Sequence, residues 1–328
     1  MADYRHPASE LTIGAGPLTL STRLAPTRMT RRRQALSDEE PKMIFWIIGA
    51  AAVLLGAFAG AVAAVVLHRG NWNLLLRRPP RRVGSLAWED LGPTPLGEMR
   101  YTPQGMTCAN GRILLANSWK DTKSRVYEFD PDGMKLLRTF DMPPEAVHTS
   151  GLAFDGRYLW AVDHVSNRCY KIDLEESLRA GEPRLAGSFP TGLDSTSACC
   201  LLEWDGQTCL AISDYRRSNK THVIRHEEAL ARGEMASCTV FSYTNEGFSQ
   251  GLVSDGRYLY EAENKAGIDI VNQMRLAVLE RTGSARRATI RQFNAPGRGV
   301  EDLAWDGERI YTSDEFAFRF YRTGVPDA

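Results

Sequence analysis

The chain repeats one short pattern five times along its C-terminal part. Each copy is an apolar run, an Asn-Gly or Asp-Gly pair and an aromatic-rich run; the copies read QGMTCANGRILLANS, SGLAFDGRYLWAVD, CCLLEWDGQTCLAISD, QGLVSDGRYLYEAE and EDLAWDGERIYTSD. The glycines of the pairs are 45, 50, 50 and 51 residues apart, in the order Gly111, Gly156, Gly206, Gly256 and Gly307. A period of about 40–50 residues with several strands per repeat is typical of β-propellers. The predicted fold class is all-β: a five-bladed β-propeller of four-stranded antiparallel blades.

Each repeat supplies the elements of one blade. The Asn-Gly and Asp-Gly pairs provide the positive φ of a tight hairpin. Successive side chains of residues 158–163 point to opposite faces of the predicted strand, and both faces are apolar, as expected of a strand between neighbouring blades. The last copy ends after its third strand, so we expect residues 83–91 (VGSLAWEDL) to supply the fourth strand and close the ring. Segments 174–182 and 226–234 indicate one or two helical turns that end at a glycine.

An uncharged segment precedes the repeats. Residues 43–67 are 25 residues without a charge, long enough at ~1.5 Å per residue to cross a hydrocarbon core of ~30 Å. We predict one uncleaved transmembrane helix here, because the apolar region of a cleaved signal peptide spans only about 7–15 residues. The expected organisation is a disordered basic tail (1–42), the transmembrane helix (43–67), a basic juxtamembrane linker (68–82) and the propeller (83–328).

Charge is unevenly distributed although the formal net charge is zero. Residues 1–42 hold seven Lys/Arg against five Asp/Glu, and residues 68–82 hold five Arg and no acid, which leaves residues 83–328 acidic. An acidic domain lacks the electrostatic footprint of a nucleic-acid-binding protein, whereas the basic flank suits anionic lipid headgroups. We expect a single-pass membrane protein with an extracytoplasmic propeller. The Gly56-Ala-Phe-Ala-Gly60 pattern is typical of helices that pair and suggests a homodimer through the transmembrane helix.

The six cysteines point to no metal site. They include the adjacent pair Cys199–Cys200 but no Cys-x-x-Cys motif, so a thiolate zinc site is not expected. We interpret them as buried free thiols, and the sequence leaves disulfide pairing open.

The predicted topology gathers polar residues at one rim, because the starts of the first strands and the ends of the second strands open on the same face of a propeller. The candidate ligand-binding residues of this rim are Gln104, Ser150, Gln250, Asp163, Asp214, Glu263, Asp314 and Tyr215, and the acid–base candidates are Glu301, Asp302 and His164. Three interpretations are open. The recurrent acids accept backbone N–H groups; or they bind calcium, which prefers such oxygens, although no Asp-x-Asp-x-Asp-Gly loop is present; or paired carboxylates act with His164 in acid–base catalysis.

Several of these segments resemble plant-type glutaminyl-peptide cyclotransferases, which are five-bladed propellers. YTPQGM at the start of the first repeat is similar to the family's opening motif, and SGLAFDG and EDLAWDGERIYTSD are similar to its later strand pairs. The resemblance implies a substrate-positioning role for Gln104. The family's proton-transferring glutamate, in a Gly-Glu-Gly motif of blade two, corresponds to Ser150 here, and Glu301 occupies the equivalent position in blade five.

Two functions follow as hypotheses. The first is a membrane-anchored binding or sensor module that presents its rim to a small ligand or a protein. The alternative is an enzyme, either a cyclotransferase relative or a metal-dependent hydrolase or lactonase with calcium as the cofactor considered. The substrate or partner is not specified by the sequence.

Overall fold

The computed structural model describes residues 53–56, 58, 60, 83–95, 102–118, 123–215, 218–265 and 268–325. The chain divides into two compact units, Met1–Ala61 and Val62–Ala328. In the first unit, residues 53–56, 58 and 60 are helical. The rest of the predicted transmembrane segment 43–67, the tail 1–42 and the linker 68–82 lie outside the described residues. Within the described ranges, no helix has both the length and the apolar character needed to cross a membrane.

The described residues of the second unit form a ring of five sheets built from 21 strands. Two short strands precede the repeats, β1 (Val83–Gly84) and β2 (Glu89–Pro93). Blade one contains β3 (Thr102–Ala109), β4 (Arg112–Ser118), β5 (Arg125–Asp130) and β6 (Lys135–Asp141). Blade two contains β7 (Thr149–Phe154), β8 (Tyr158–Asp163), β9 (Arg168–Asp173) and β10 (Leu185–Pro190).

The remaining blades have the same order of strands from the axis outwards. Blade three contains β11 (Thr196–Trp204), β12 (Gln207–Asp214), β13 (Lys220–Ile224) and β14 (Thr239–Thr244). Blade four contains β15 (Phe248–Ser254), β16 (Leu259–Lys265), β17 (Ile268–Met274) and β18 (Thr289–Asn294). Blade five contains β19 (Val300–Trp305), β20 (Arg309–Asp314) and β21 (Arg319–Gly324), with β2 as its outer strand. The predicted fold of five four-stranded antiparallel blades is confirmed.

Short helices connect the third and fourth strands of blades two to four. They are α1 (Leu174–Ala180), α2 (His226–Arg232), a 3-10 helix (Ala236–Cys238), α3 (Leu276–Thr282) and α4 (Ala285–Ala288). Asp173 caps α1 by accepting a hydrogen bond from the Glu176 backbone N–H, and Gly181 ends it with a φ of 72°. The two predicted helical turns are confirmed, and α3 is a third that the sequence analysis missed.

The hydrophobic core is divided among the interfaces between blades. Five clusters of buried side chains are present among the described residues, and each contains side chains from two neighbouring blades. In β8, Leu159 and Ala161 pack towards blade one, whereas Trp160 and Val162 pack towards blade three. A strand with two apolar faces therefore contributes to two interfaces at once, as its alternation predicts. All six cysteines are free thiols, and five of them are buried.

The ring closes through the N-terminal strands, with boundaries that differ from the prediction. Strand β2 pairs antiparallel with β21, whereas β1 pairs in parallel with β18 in blade four. The segment predicted as one strand, 83–91, is therefore divided between two blades. Two ion pairs join the closing strands, Arg322 with Glu89 at 2.6 Å and Arg319 with Asp90 at 2.7 Å.

The repeated turns are of two kinds. Asn110-Gly111 and Asp205-Gly206 have positive φ at both residues, as a tight two-residue hairpin requires. The aspartates of the other three turns instead accept backbone N–H groups with one carboxylate oxygen; Asp155, for example, accepts from Arg157 and Tyr158. The second oxygen accepts from an aromatic side chain five residues on, Trp160 Nε1 at 2.9 Å. In these three turns the glycine alone supplies the positive φ, at Gly156, Gly256 and Gly307.

Candidate functional site

The first strand of every blade breaks its register at the same place. The pairing with the second strand shifts around one or two residues near the strand start, which forms a β-bulge. Bulges re-aim a side chain and occur frequently beside functional sites. The five bulges bring one side chain from each blade to the axis of the ring: Gln104, Ser150, Ser197, Gln250 and Glu301.

These side chains form the floor of a cavity of about 180 Å³ that opens on one face of the ring. We call it the central pocket; its lining residues are Gln104, His148, Ser150, His164, Ser197, Tyr215, Gln250, Glu301 and Glu315. Three of the lining residues outside the floor directly follow the last residue of a second strand; they are His164, Tyr215 and Glu315. Six residues predicted for the rim or for catalysis thus meet here: Gln104, Ser150, His164, Tyr215, Gln250 and Glu301.

The four recurrent acids at the ends of the second strands do not line the central pocket. Asp163 accepts hydrogen bonds from the backbone N–H groups of His148, Val165 and Ser166. Asp214 accepts from Ser218, and Asp314 accepts from the backbone of Arg298, Gly299, Phe316 and Ala317. Glu263 accepts from Glu246 and Gly247. These carboxylates hold the loops that carry the pocket residues.

Asp302 lies beneath the pocket floor and is fully buried. One carboxylate oxygen, Oδ2, accepts from the backbone N–H of Met106 at 2.9 Å and of Leu152 at 3.2 Å. The other, Oδ1, accepts from Leu252 at 3.1 Å and from Leu303 at 2.9 Å. Burial raises the pKa of Asp302, and these four N–H donors oppose that rise. The side chain joins four blades at the axis, so it is placed to hold the ring rather than to contact a ligand.

Two glutamates of blade five form one wall of the pocket, which we call the acid wall. Glu301 is 4% exposed, and its Oε1 is 3.5 Å from Gln250 Nε2. Burial raises the pKa of Glu301 well above its ordinary value, and the charges of Glu315, Asp302, Asp269 and Asp314 raise it further. Burial also raises the pKa of Glu315, with Asp314 and Asp269 adding to the rise. The acid wall therefore retains a proton more readily than a surface carboxylate does.

Three rings form the aromatic wall: His148, His164 and Tyr215. The rings of His148 and His164 stack with centroids 4.8 Å apart, and the Tyr215 ring lies 6.2 Å from that of His164. His148 Nε2 and Gln104 Oε1 are 2.9 Å apart, so the imidazole N–H donates to the amide oxygen. Burial and the neighbouring His164 lower the pKa of His148 to about 4. This ring is uncharged at neutral pH.

Sequence reasoning missed three residues of the pocket. His148 lies in the connection before the first strand of blade two, which has no counterpart motif in the other repeats. Ser197 was missed because the third copy of the repeat was taken to begin at Cys199–Cys200, and Cys200 belongs to a hydrophobic core cluster instead. A usable signal was present, since Ser197 precedes the small residue Ala198 as Ser150 precedes Gly151. Glu315, the third missed residue, directly follows the predicted rim residue Asp314.

The described residues contain no group of three or more His, Cys, Asp or Glu side chains arranged to hold a metal ion.

Comparison with known proteins gives a structural likeness only. The sequence matches no protein family description and no curated protein. The structure is similar to that of Myxococcus xanthus glutaminyl cyclase, with a TM-score of 0.51 and 12% identity over 75% of this chain and 100% of that one. It is less similar to the Cps50 (Swd1) β-propeller domain of Myceliophteria thermophila, with a TM-score of 0.36 and 12% identity over 65% of this chain and 67% of that one. The Dos1 propeller has a TM-score of 0.36 and 13% identity over 65% of this chain and 53% of that one. At these identities the likeness is one of fold.

Proposed function

We propose that this protein is a binding module whose central pocket takes a small polar ligand. The observation that carries the proposal is the convergence of one re-aimed side chain from every blade on a single cavity. A core position would hold an apolar side chain here, whereas the five bulge residues carry amide, hydroxyl and carboxyl groups. Convergent polar groups in a concave site are the usual basis of ligand orientation and specificity.

The size of the pocket limits the ligand. A cavity of about 180 Å³ is smaller than the roughly 300–1,000 Å³ of sites for drug-sized molecules. The ligand is therefore a small molecule or the terminal group of a longer one. Gln104 and Gln250 stand on the pocket floor, and each amide offers both a donor and an acceptor.

The proposal is tested by thermal unfolding of the full chain with three probes at 10 mM: n-propylamine, propionamide and propan-1-ol. We expect at least one probe to raise the Tm by about 2–4 °C, which corresponds to roughly 1 kcal/mol of linkage. The double variant Gln104→Ala/Gln250→Ala should lose the shift. Gln207→Ala, at the exposed first residue of β12, is the control and should keep it. No shift with any probe in the parent would refute the proposal.

Acid–base catalysis is a second candidate, favoured by Glu301. This carboxyl is buried in the pocket with a raised pKa, and general acids and bases work best with a pKa near the operating pH. In a glutaminyl cyclisation, Glu301 would accept the proton lost by the attacking α-amine and return one to the departing ammonia. An N-terminal glutaminyl dipeptide should then release ammonia in the presence of the parent but not of Glu301→Gln.

A calcium-dependent hydrolase is less favoured. It would need the recurrent carboxylates as metal ligands, and here those carboxylates accept backbone N–H groups.

For residues 43–67 we propose a transmembrane anchor with the propeller on the extracytoplasmic side, and pairing of two anchors through Gly56 and Gly60. The uncharged length supports the anchor, and the GxxxG spacing supports the pairing. Recovery of the full chain in the supernatant after alkaline carbonate washing would contradict the anchor. Cross-linking of the parent and of Gly60→Ile to the same extent would contradict the pairing.

A further inference from the structure

The two walls of the central pocket differ in chemical character. The acid wall, Glu301 and Glu315, comes from blade five. The aromatic wall comes from the connections around blades two and three and is built by the stack of His148 on His164 with Tyr215 beside it. Both walls line the same cavity. A ligand in this cavity therefore contacts carboxyl groups on one part of its surface and aromatic rings on another.

The acid wall has unused acceptors. The contacts described for Glu301 include one weak donor, Gln250 Nε2 at 3.5 Å from Oε1, and give none for Oε2 or for the Glu315 carboxylate. Glu301 is 4% exposed, and a carboxylate with so little access to solvent is stabilised by a donor that reaches it. A ligand that donates several hydrogen bonds at this wall would satisfy these oxygens.

The electrostatics of the pocket favour a positive charge. Asp302, Asp269 and Asp314 lie close enough to Glu301 for their charges to act on it, and the lining contains no Lys or Arg among the described residues. His148 adds no positive charge at neutral pH, because burial and His164 lower its pKa to about 4. A cationic group placed at the acid wall would offset the mutual repulsion of these carboxylates.

We infer that the central pocket binds a small protonated primary amine, with its ammonium group on Glu301 and Glu315 and its carbon chain against the aromatic wall. This inference rests on the proposed binding function and specifies its ligand. A primary ammonium has three N–H donors, which matches a wall of several acceptors. The rings of the aromatic wall offer apolar surface against which the carbon chain is buried. The pocket volume, about 180 Å³, admits a short alkylammonium group.

Calorimetric titration of the full chain with n-propylamine tests the inference, since an alkylamine with a pKa of about 10 is protonated at pH 7. We expect n-propylamine to bind at least tenfold more tightly than propan-1-ol or propionamide. Glu315→Gln and Glu301→Gln should each weaken binding by at least fivefold. Glu308→Gln replaces an exposed glutamate in a turn of the same blade and should change nothing.

The pH dependence provides an independent readout. The groups acting on Glu301 are Glu315, Asp302, Asp269 and Asp314, and the two histidines of the aromatic wall share its cavity. Burial and the neighbouring carboxylates raise the pKa of free Glu301, so an ammonium ion must displace its proton, and affinity should rise with pH through the range in which this carboxyl titrates. The binding heat should also differ between buffers of different ionisation enthalpy. Both effects should weaken in Glu301→Gln, in which Glu315 is the remaining titrating carboxyl of the acid wall, and a pH dependence unchanged from the parent would refute the role of Glu301.

The remaining outcomes separate this inference from the proposed function. If propionamide or propan-1-ol binds as tightly as n-propylamine, the ammonium inference is wrong while the binding function stands. If tetramethylammonium binds as tightly, the rings rather than hydrogen-bond acceptors select the cation, and the assignment of a primary amine is wrong. If none of the probes binds, both the inference and the proposed function fail.

Discussion

Asp302 and Glu301 are adjacent carboxyl residues with opposite surroundings. Asp302 accepts four backbone N–H groups from four blades, whereas Glu301 has one weak donor and lines the central pocket. Two successive residues of the bulged strand β19 therefore have different roles. One holds the axis of the ring, and the other faces the ligand cavity. The difference arises from what each side chain meets, because their chemistry is the same.

At the residue scale we predict that Asp302→Ala strongly destabilises the propeller. The change leaves four buried N–H groups without an acceptor, and each such group costs about 1–3 kcal/mol. The free energy of unfolding in urea should fall by more than about 3 kcal/mol. Asp302→Asn should recover only part of the loss, since its NH₂ group faces two N–H donors. Glu280→Ala, at an exposed helical residue, should stay within about 0.5 kcal/mol of the parent. A loss of under 1 kcal/mol in Asp302→Ala would contradict this role.

The inner strands approach one another closely because a small residue follows the bulge. Gly105, Gly151, Ala198 and Gly251 hold the position that Asp302 occupies in blade five. A Cβ atom on Gly151 would lie 2.5 Å from the backbone nitrogen of Cys199 in the next blade. The glycines thus bring the first strands near enough to the axis for one carboxylate to bridge them.

At the element scale we predict that Gly151→Ala costs about 1–3 kcal/mol, the usual range for overpacking, because the added methyl group meets backbone rather than a mobile side chain. The shift of β7 should also displace Ser150 and weaken ligand binding in the pocket. Thermal unfolding and the probe titration measure the two effects. Gly324→Ala is the matched control, since nothing lies within 4 Å of its Cβ position. A Gly151→Ala protein with the parental Tm would show that the blades are not held this closely.

The fold of the whole molecule depends on closure of the ring, in which the fourth strand of blade five comes from the segment that precedes the repeats. Strand β2 completes blade five and covers the edge of β21, and Trp88 Nε1 donates to the Asn294 carbonyl at 3.0 Å in blade four. Without these contacts β21 would present a row of unpaired backbone groups, which favours association with other chains. The five interfaces between blades therefore form a continuous ring only when β2 is paired with β21.

At the scale of the molecule we predict that a chain of residues 83–328 unfolds cooperatively as a monomer, whereas a chain of residues 96–328 aggregates. The shorter chain lacks β1 and β2 and exposes the edge of β21. Size-exclusion chromatography and thermal unfolding distinguish the two. Glu89→Ala in the longer chain removes an exposed ion pair and should cost under about 1 kcal/mol. Equal stability of both chains would mean that β2 does not close the ring.

The sequence by itself determined the architecture, because the signals involved are local. Each hairpin pair and its two apolar runs lie within a short stretch of chain, and this pattern recurs with a period near 50 residues. Five copies therefore suffice to predict five blades and the missing fourth strand. The same repeat located the recurrent acids and six of the nine pocket residues. It failed at Ser197 and at the split of β1 from β2, where the register depends on a neighbouring strand.

Only the tertiary structure decided what these side chains do. The N–H donors on Asp302 from the other blades lie 196, 150 and 50 residues away in the chain, and no local pattern encodes their convergence. His148 reaches the pocket because Asp163 accepts its backbone N–H at 2.6 Å. The contrast between the acid and aromatic walls likewise arises when blade five meets blades two and three across the axis. Chemical roles at the site follow from burial and from contacts between blades, which exist only once the ring is closed.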